Sequence, residues 1–509
     1  MTSTAPSLAL NPAICHRALD ARDARFDGLF FVGITTTGIY CRPVCPARIS
    51  YRDRRRFFDS AAAAEEAGFR PCLRCRPELA PGRALVDAVP RLARAAASRI
   101  AAGALNGRDV DHLARELGVG ERQLRRAMVR ELGVSPVELA QTHRLLLAKR
   151  LLADTSLPVT RIAFASGFQS LRRFNSVFRE RYRLSPSALR RTPFASSVGR
   201  DAEAARGSGV PGEALVRLTL AYRSPFAWHV LLSLLRHDAM PGVEMVQGAC
   251  YGRIVHLNGE TGVVFAENAV TPARDPQSAV KSHLDVHVSP ALLPVLMPLL
   301  ARLRHLFDLD AEPAVIDASL VRGGLGSFVR RRPGIRIPGA VDGFEVALGA
   351  LLRSGLGKAG RDLVRRVVET LGEPLDTGIP ALSRLAPGAE RVAEAGASRL
   401  TTLGVPAGRA DAIISVARAL AEGMLRLEPG GDVTVAHRAL LEIPGVGERL
   451  ATTIVMHALH WPDAFPASDG LLLRAAGASS PGVLRARAEK WRPWRAYAAL
   501  HLRLGGEHD

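Results

Sequence analysis

Four cysteines in two close pairs constrain this chain more than any other feature. Cys41-Arg-Pro-Val-Cys45 and Cys72-Leu-Arg-Cys75 form a C-x3-C and a C-x2-C motif, separated by 26 residues. That arrangement can place four sulfurs around one tetrahedral Zn²⁺, and no His pair lies close enough to offer a better ligand set. Cys41, Cys45, Cys72 and Cys75 are therefore the expected metal ligands. From spacing alone, two readings stay open: a knuckle that only holds a small domain together, or a site with chemistry of its own. Arg42, Arg48, Arg52, Arg54, Arg55, Arg56, Arg70, Arg74 and Arg76 crowd the pairs, which suits a site pressed against phosphates. The remaining cysteines, Cys15 and Cys250, are expected to be packed small hydrophobes, and six thiols are too sparse for a disulfide scaffold. A reducing, cytoplasmic compartment is expected. No apolar window of about 20 residues is free of charge or proline, so no membrane span is expected.

With 509 residues, several domains are predicted. Glu78-Leu-Ala-Pro-Gly82 and a Ser/Gly/Ala-rich run from about residue 194 to 212 read as linkers. The divisions are residues 1–80, 86–193, 213–289 and 290–509. The first mixes a β-type run, Leu29–Ile34, with a helical stretch from Ser60 to Gly68. The second has apolar residues recurring at three and four and no strand-like alternation. The third begins with alternating segments, at Val216–Tyr222, Val255–Leu257 and Val263–Phe265. The fourth is helical to the end. The predicted fold class is multidomain: a small α/β zinc domain, an all-α domain, and an α+β subdomain followed by a helical body.

Charge is unevenly spread along this plan. The chain carries net +19; residues 81–195 hold 21 basic and 9 acidic side chains, a net +12, against +3 for the whole of residues 196–509. Arg-rich codon usage could explain 64 arginines against four lysines, but it cannot explain that concentration. An anionic polymer, foremost double-stranded DNA, is the expected partner. The basic segment also repeats itself: Leu113-Ala114 recurs as Ile162-Ala163 and Ser135-Pro136 as Ser185-Pro186, an offset of 49 to 50 residues. Each copy has helix-turn-helix proportions, with Glu121–Leu132 and Gln169–Tyr182 as second helices. Leu113, Leu117, Leu124 and Met128 are predicted to face one core, and Phe168, Phe174 and Phe178 another. Arg122, Gln123 and Arg126 in the first copy, and Ser170, Arg172 and Arg173 in the second, fall outside those stripes; Arg122, Gln123, Arg126, Arg172 and Arg173 are the expected DNA-contacting residues.

The run Phe31-Val-Gly-Ile-Thr-Thr-Thr-Gly-Ile-Tyr-Cys-Arg-Pro-Val-Cys-Pro-Ala-Arg48, followed by Ala67-Gly-Phe-Arg-Pro-Cys-Leu-Arg-Cys-Arg-Pro77, resembles the N-terminal domain of the Ada adaptive-response family. The resemblance implies a Zn²⁺ site whose first thiolate, Cys41 here, accepts a methyl group from a methylphosphotriester in alkylated DNA. Residues 88–192 are similar to the AraC-type DNA-binding domain, which follows the cysteine domain in the Ada family. The Ada family's Pro-Cys-His-Arg motif for O6-alkylguanine does not occur, and that repair is not expected.

In the last part, Leu441-Glu-Ile-Pro-Gly-Val-Gly447 opens an apolar helix and reads as a helix-hairpin-helix turn, with Gly445 and Gly447 letting backbone N–H groups approach a DNA phosphate. Asp469 follows 22 residues later at another helix entry, where it could simply cap that helix. This hairpin, with Pro333–Glu345 and Ala488–Ala498, resembles the 3-methyladenine DNA glycosylase II family over about residues 214–506. The resemblance implies that Asp469 is catalytic, stabilising an oxocarbenium-like sugar as the N-glycosidic bond breaks. The family's pocket aromatics fall on Arg449, Thr453, Gly470 and Arg503, and its apolar wedge on Gly355. The expectation is an alkylation-response regulator and repair enzyme acting on alkylated DNA and promoter sites, with RNA polymerase as a further partner. The alternative is a transcription regulator whose last domain binds DNA without excising bases.

Overall fold

The structure is a computed structural model and describes residues 11–47, 51–81, 91–191, 215–271 and 281–505. The second linker, residues 194–212, lies outside the described residues, as do Arg48 and Gly82.

Helix α1 (Pro12–Asp20), capped by Asn11, packs beside a four-stranded sheet of β1 (Phe31–Ile34), β2 (Ile39–Cys41), β3 (Arg55–Phe58) and β4 (Arg70–Pro71), in the order β3-β1-β2-β4. The short parallel pairing of β2 with β4, Ile39 beside Arg70 and Tyr40 beside Pro71, brings Cys41 level with Cys72. Helix α2 (Ala61–Glu66) starts at Ser60, whose hydroxyl accepts from the Ala63 N–H. Apolar Leu19 and Val32 close over the sulfurs.

The basic segment is helical throughout its described length: α3 (Arg91–Ala101), α4 (Val110–Glu116), α5 (Glu121–Leu132), α6 (Pro136–Asp154), α7 (Val159–Ala165), α8 (Leu171–Tyr182) and α9 (Pro186–Arg190). The repeat is visible in its punctuation. Ser135 and Ser185 cap α6 and α9 with proline in the first turn, and Gly118 and Gly167 take φ of +69° and +86° at the two tight turns, where a Cβ would be strained. Leu113, Leu124 and Met128 are buried as expected, and so are Phe168, Phe174 and Phe178; Leu117 is only partly buried.

An antiparallel sheet follows, in the order β5-β9-β8-β7-β6, from β5 (Val216–Ala221), β6 (Glu244–Gln247), β7 (Cys250–Leu257), β8 (Glu260–Thr271) and β9 (Lys281–Val288), with α10 (Trp228–Asp238) packed on it. The alternating segments of the sequence account for β5, part of β7 and part of β8. A helical body then runs from Leu296 to Gly505.

Two boundaries differ from expectation. Glu78, placed in a linker by its Pro-Gly context, lies in a short 3₁₀ turn, Pro77–Leu79, with its side chain only 2% exposed and bonded to Lys149 of α6. The second helix-turn-helix unit and the following sheet also share one core: Leu151, Ile162, Phe174 and Phe178 belong to the same buried cluster as Leu218, Leu284, Val286 and Phe307. Apolar faces that read as separate along the chain cover one another. Arg150 donates to the Thr219 carbonyl across that seam.

Candidate metal centre and DNA-contacting surfaces

The ends of β2 and β4 and the turns that follow them place all four cysteines together. Their sulfurs lie within 4.8 Å of one another and all four residues are buried; among the described residues this is the one group of three or more His, Cys, Asp or Glu side chains arranged to hold a metal. The backbone N–H of Arg42 donates to the Cys75 sulfur and that of Arg74 to the Cys72 sulfur, each at 3.3 Å, contacts suited to sulfurs that carry negative charge. Four such sulfurs cannot share charge unaided. Hydrogen bonding with Cys45 pushes the Cys41 thiol up, while hydrogen bonding with Cys41 holds Cys72 down. A dication resolves that conflict, so the donor set fits Zn²⁺. Cys41 is 8% exposed and Cys45 0%, so Cys41 is the better placed of that pair to meet an outside group. Cys15 is buried against Ala18 and Phe30, and Cys250 is partly buried; burial pushes each thiol up to about 11, so both are inert at neutral pH.

The arginine crowd is less uniform than the sequence implied. Arg42 is paired with Asp27, Arg55 with Asp20, and Arg76 with Glu78 and Asp154, and these largely buried side chains brace the fold, whereas the pairs of Arg52 with Asp20 and Arg54 with Asp53 lie at the surface. Arg56 and Arg74 are exposed and better placed to meet phosphate.

Sequence reasoning missed the acidic and basic groups that close the domain from outside. Glu65 is 2% exposed; it accepts from the Tyr40 hydroxyl at 2.9 Å and from Thr142 of α6 at 3.2 Å, with Arg181 of α8 at 3.9 Å. Lys149 was the available signal, since it is one of only four lysines in a chain with 64 arginines. Burial pushes the Glu65 carboxyl up to about 7, against the pull of Arg181. The folded state thus holds a proton that the unfolded chain releases near pH 4.5, and stability falls as pH rises from about 4.5 to 7. Glu65→Gln removes the charge and keeps an acceptor. Relative to the parent, its stability is expected to rise through that window, by up to about 3 kcal/mol, measured by denaturant unfolding at pH 5 and pH 8. An unchanged difference at the two pH values would show that Glu65 ionises normally.

The helix-turn-helix units present the expected residues to solvent. Arg122, Gln123 and Arg126 on α5 are exposed, and so are Arg172 and Arg173 on α8. Ser170, read only as lying outside the packed stripe, caps α8 by accepting from the Arg173 N–H at 3.4 Å. A serine there serves the helix start, because its hydroxyl satisfies one of the first N–H groups.

In the body, helices Val433–Leu441 and Glu448–Ala458 flank the hairpin turn. Gly445 has φ +88° and Gly447 caps the second helix; both are exposed, while Val446 between them is buried and pins the turn. Asp469 caps helix Gly470–Ala475, accepting from the Leu471 and Leu472 N–H groups at 2.8 and 3.3 Å. It is partly exposed, so its carboxylate can cap and still face a ligand. Arg449 donates to the Ser354 hydroxyl at 2.6 Å, and Thr453 to the Arg449 carbonyl at 2.8 Å. Gly355, beside Ser354, has φ +71° and open space where a side chain would stand. Gly470 is exposed, and the Nε of Arg503 is buried without a hydrogen-bond partner among the described residues.

Residues 14–78 match the model of the metal binding domain of Ada, residues 113–192 that of a helix-turn-helix domain, and residues 217–342 that of the AlkA N-terminal domain. A probable bifunctional transcriptional activator/DNA repair enzyme AlkA from Mycobacterium tuberculosis is 38% identical over 500 residues, covering 97% of this chain and 96% of that protein. The chain belongs to this bifunctional AlkA family. Within the family plan, zinc is the metal of the N-terminal domain. The DNA-3-methyladenine glycosylase 2 of Escherichia coli is 33% identical over 285 residues, covering 56% of this chain and 95% of that enzyme. The bifunctional transcriptional activator/DNA repair enzyme Ada of E. coli is 52% identical over 60 residues, covering 12% of this chain and 17% of that protein. Family membership thus extends across the zinc domain, the double helix-turn-helix domain and the helix-hairpin-helix body.

Proposed function

We propose that this chain repairs alkylated DNA and activates transcription in response to the damage. Its zinc domain removes methyl groups from DNA methylphosphotriesters, its helix-turn-helix units hold promoter DNA and engage RNA polymerase, and its body excises alkylated bases such as 3-methyladenine. The observation that carries the reading is a buried four-sulfur site in the same chain as a basic double helix-turn-helix domain and a hairpin followed by Asp469, within a family match that covers 97% of the chain. Cytoplasmic residence belongs to this reading; among the described residues no helix is long and apolar enough to cross a membrane.

When bound, zinc keeps coordinated sulfur in the thiolate form at neutral pH. Cys41 then attacks the methyl carbon of the triester, the C–O bond breaks, and the departing oxygen keeps the electron pair as a phosphodiester anion. Methylating Cys41 takes one negative charge from the site, from −2 to −1 for four thiolates about a dication, and so weakens repulsion from the DNA backbone. In the body, Asp469 faces the sugar and stabilises the positive charge that develops as the base leaves. Gly445 and Gly447 hold the backbone N–H groups of the hairpin against phosphate.

The test is to incubate the full chain with duplexes carrying methylphosphotriesters or defined alkylated bases, then assay Cys41 methylation by peptide mass and base loss by abasic-site cleavage. Methylation without base loss would favour the regulator that only binds DNA. For the reading surfaces, alanine at Arg122, Gln123, Arg126, Arg172 or Arg173 is expected to cost about 1–3 kcal/mol where a base is read. Affinity should also fall steeply with salt, with a log–log slope of about −0.9 per phosphate contacted. Variants that bind as the parent does at every salt concentration would mark these residues as a solvated face.

A further inference from the structure

The backbone nearest the four sulfurs is held in place by another domain, and at two separate points. On the Cys72–Cys75 side, Lys149 of α6 reaches into the zinc domain, donating to the Cys72 carbonyl at 3.3 Å and to the Glu78 carboxylate at 2.6 Å. Its side chain is 3% exposed and that of Glu78 is 2% exposed. Arg76, directly after Cys75, completes the link by pairing with Glu78 at 3.0 Å and with Asp154, at the end of α6, at 2.6 Å. On the Cys41 side, Tyr40, the preceding residue of β2, donates to Glu65, which also accepts from Thr142 of α6 and faces Arg181 of α8. Thr142 and Lys149 are seven residues apart, two turns of one helix, so a single face of α6 carries both connections.

We infer that the zinc centre and the second helix-turn-helix unit are coupled through this face, with Lys149 a positioning residue for the Cys72–Cys75 turn and Glu65 a strut from the Cys41 strand to α6 and α8. The inference rests on zinc occupying the four-sulfur site and is independent of methyl transfer. Its physical basis is the cost of buried charge. Lys149, Glu78, Arg76 and Asp154 are tolerated in the interior because each faces an opposite charge in fixed geometry, and separating them strands those charges. When the metal leaves, the turn carrying Cys72, Cys75 and Arg76 loses the bond that fixes it. The partners of Lys149 and Asp154 move with it, and α6, the scaffold of the second unit, loses support. Linkage makes the effect reciprocal: whatever rigidifies α6 and α8 tightens the hold on zinc. The first unit is the internal comparison: α5 shares no residue with either polar connection, and the zinc domain adds only Ala62 to its apolar core.

The decisive experiment is amide hydrogen exchange on the full chain without DNA, zinc-loaded and after removal of zinc by excess chelator. Exchange in α6 and α8 is expected to quicken about fivefold or more, the lower range of site-to-site coupling, while α5 changes less. Exchange in α6 and α8 that stays unchanged while residues 31–79 lose protection would overturn the coupling. In Lys149→Met, transfer of zinc to a chelator should be faster by a similar factor, and equal rates in parent and variant would remove Lys149 from the device. Should that variant fail to fold, the exchange comparison on the parent decides alone. A chain that retains its zinc but accepts no methyl group would fail the functional reading and leave this test intact.

Discussion

Replacing Cys72 with alanine is expected to reduce zinc from one per chain to none, measured by metal analysis of the purified protein, and to open the N-terminal domain. The four sulfurs are within 4.8 Å of one another and buried, and the pairing of β2 with β4 delivers Cys41 and Cys72 to the site. A structural zinc site contributes about 10–16 kcal/mol in small domains, comparable to or larger than the whole stability of a typical fold, so losing a ligand is not absorbed locally. The damage should spread, because Ala62 of the zinc domain packs in the core of the first helix-turn-helix unit and Lys149 is bonded to the Cys72 carbonyl. Zinc retained at full occupancy in Cys72→Ala would refute the ligand set. In the intact chain the transferred methyl should map to Cys41, and its appearance on Cys45, Cys72 or Cys75 would reassign the acceptor.

In Asp469→Asn, base excision is expected to fall by roughly 10²–10³-fold while DNA binding and thermal stability persist. The substitution is clean because asparagine keeps the oxygen that accepts from Leu471 and Leu472, and the two residues cap helices about equally well. Only the charge is removed. An N-alkylated purine is already cationic, so its glycosidic bond is weakened and the enzyme has mainly to stabilise the sugar cation. The resemblance to the glycosylase family implies that Arg449 and Arg503 fall at its pocket-aromatic positions; arginines lining the pocket would oppose a cationic base, and a low parental rate on 3-methyladenine is the expected result. Gel assays of abasic sites at matched protein occupancy measure both. Equal excision by parent and variant would take Asp469 out of the mechanism, and no excision of any alkylated base by the parent would leave a domain that only binds DNA.

The cysteine spacing, the 49-to-50-residue helical repeat and the glycine turn at 445–447 were all legible in the chain, because each is a local rule. Two close thiol pairs need one metal, Ser-Pro starts a helix, and a left-handed turn asks for glycine. The strands β6 and β9 and the helix α10 were not legible as such, since their patterns are short and their partners distant. Glu78 shows the limit most sharply: its Pro-Gly neighbourhood reads as a linker, and only the approach of α6 from 71 residues away makes it a buried anchor. Ser170 likewise reads as a side chain free of the core until its hydroxyl is seen to cap α8. Which arginines stay exposed and which brace the fold was also decided in three dimensions, because pairing with Asp20, Asp27 or Asp154 depends on residues brought together by folding. Local composition specifies each unit of this protein. The joining of those units, through a shared core and buried ion pairs, is a property of surfaces that meet only once the chain has folded, and no periodicity along it encodes which surface covers which.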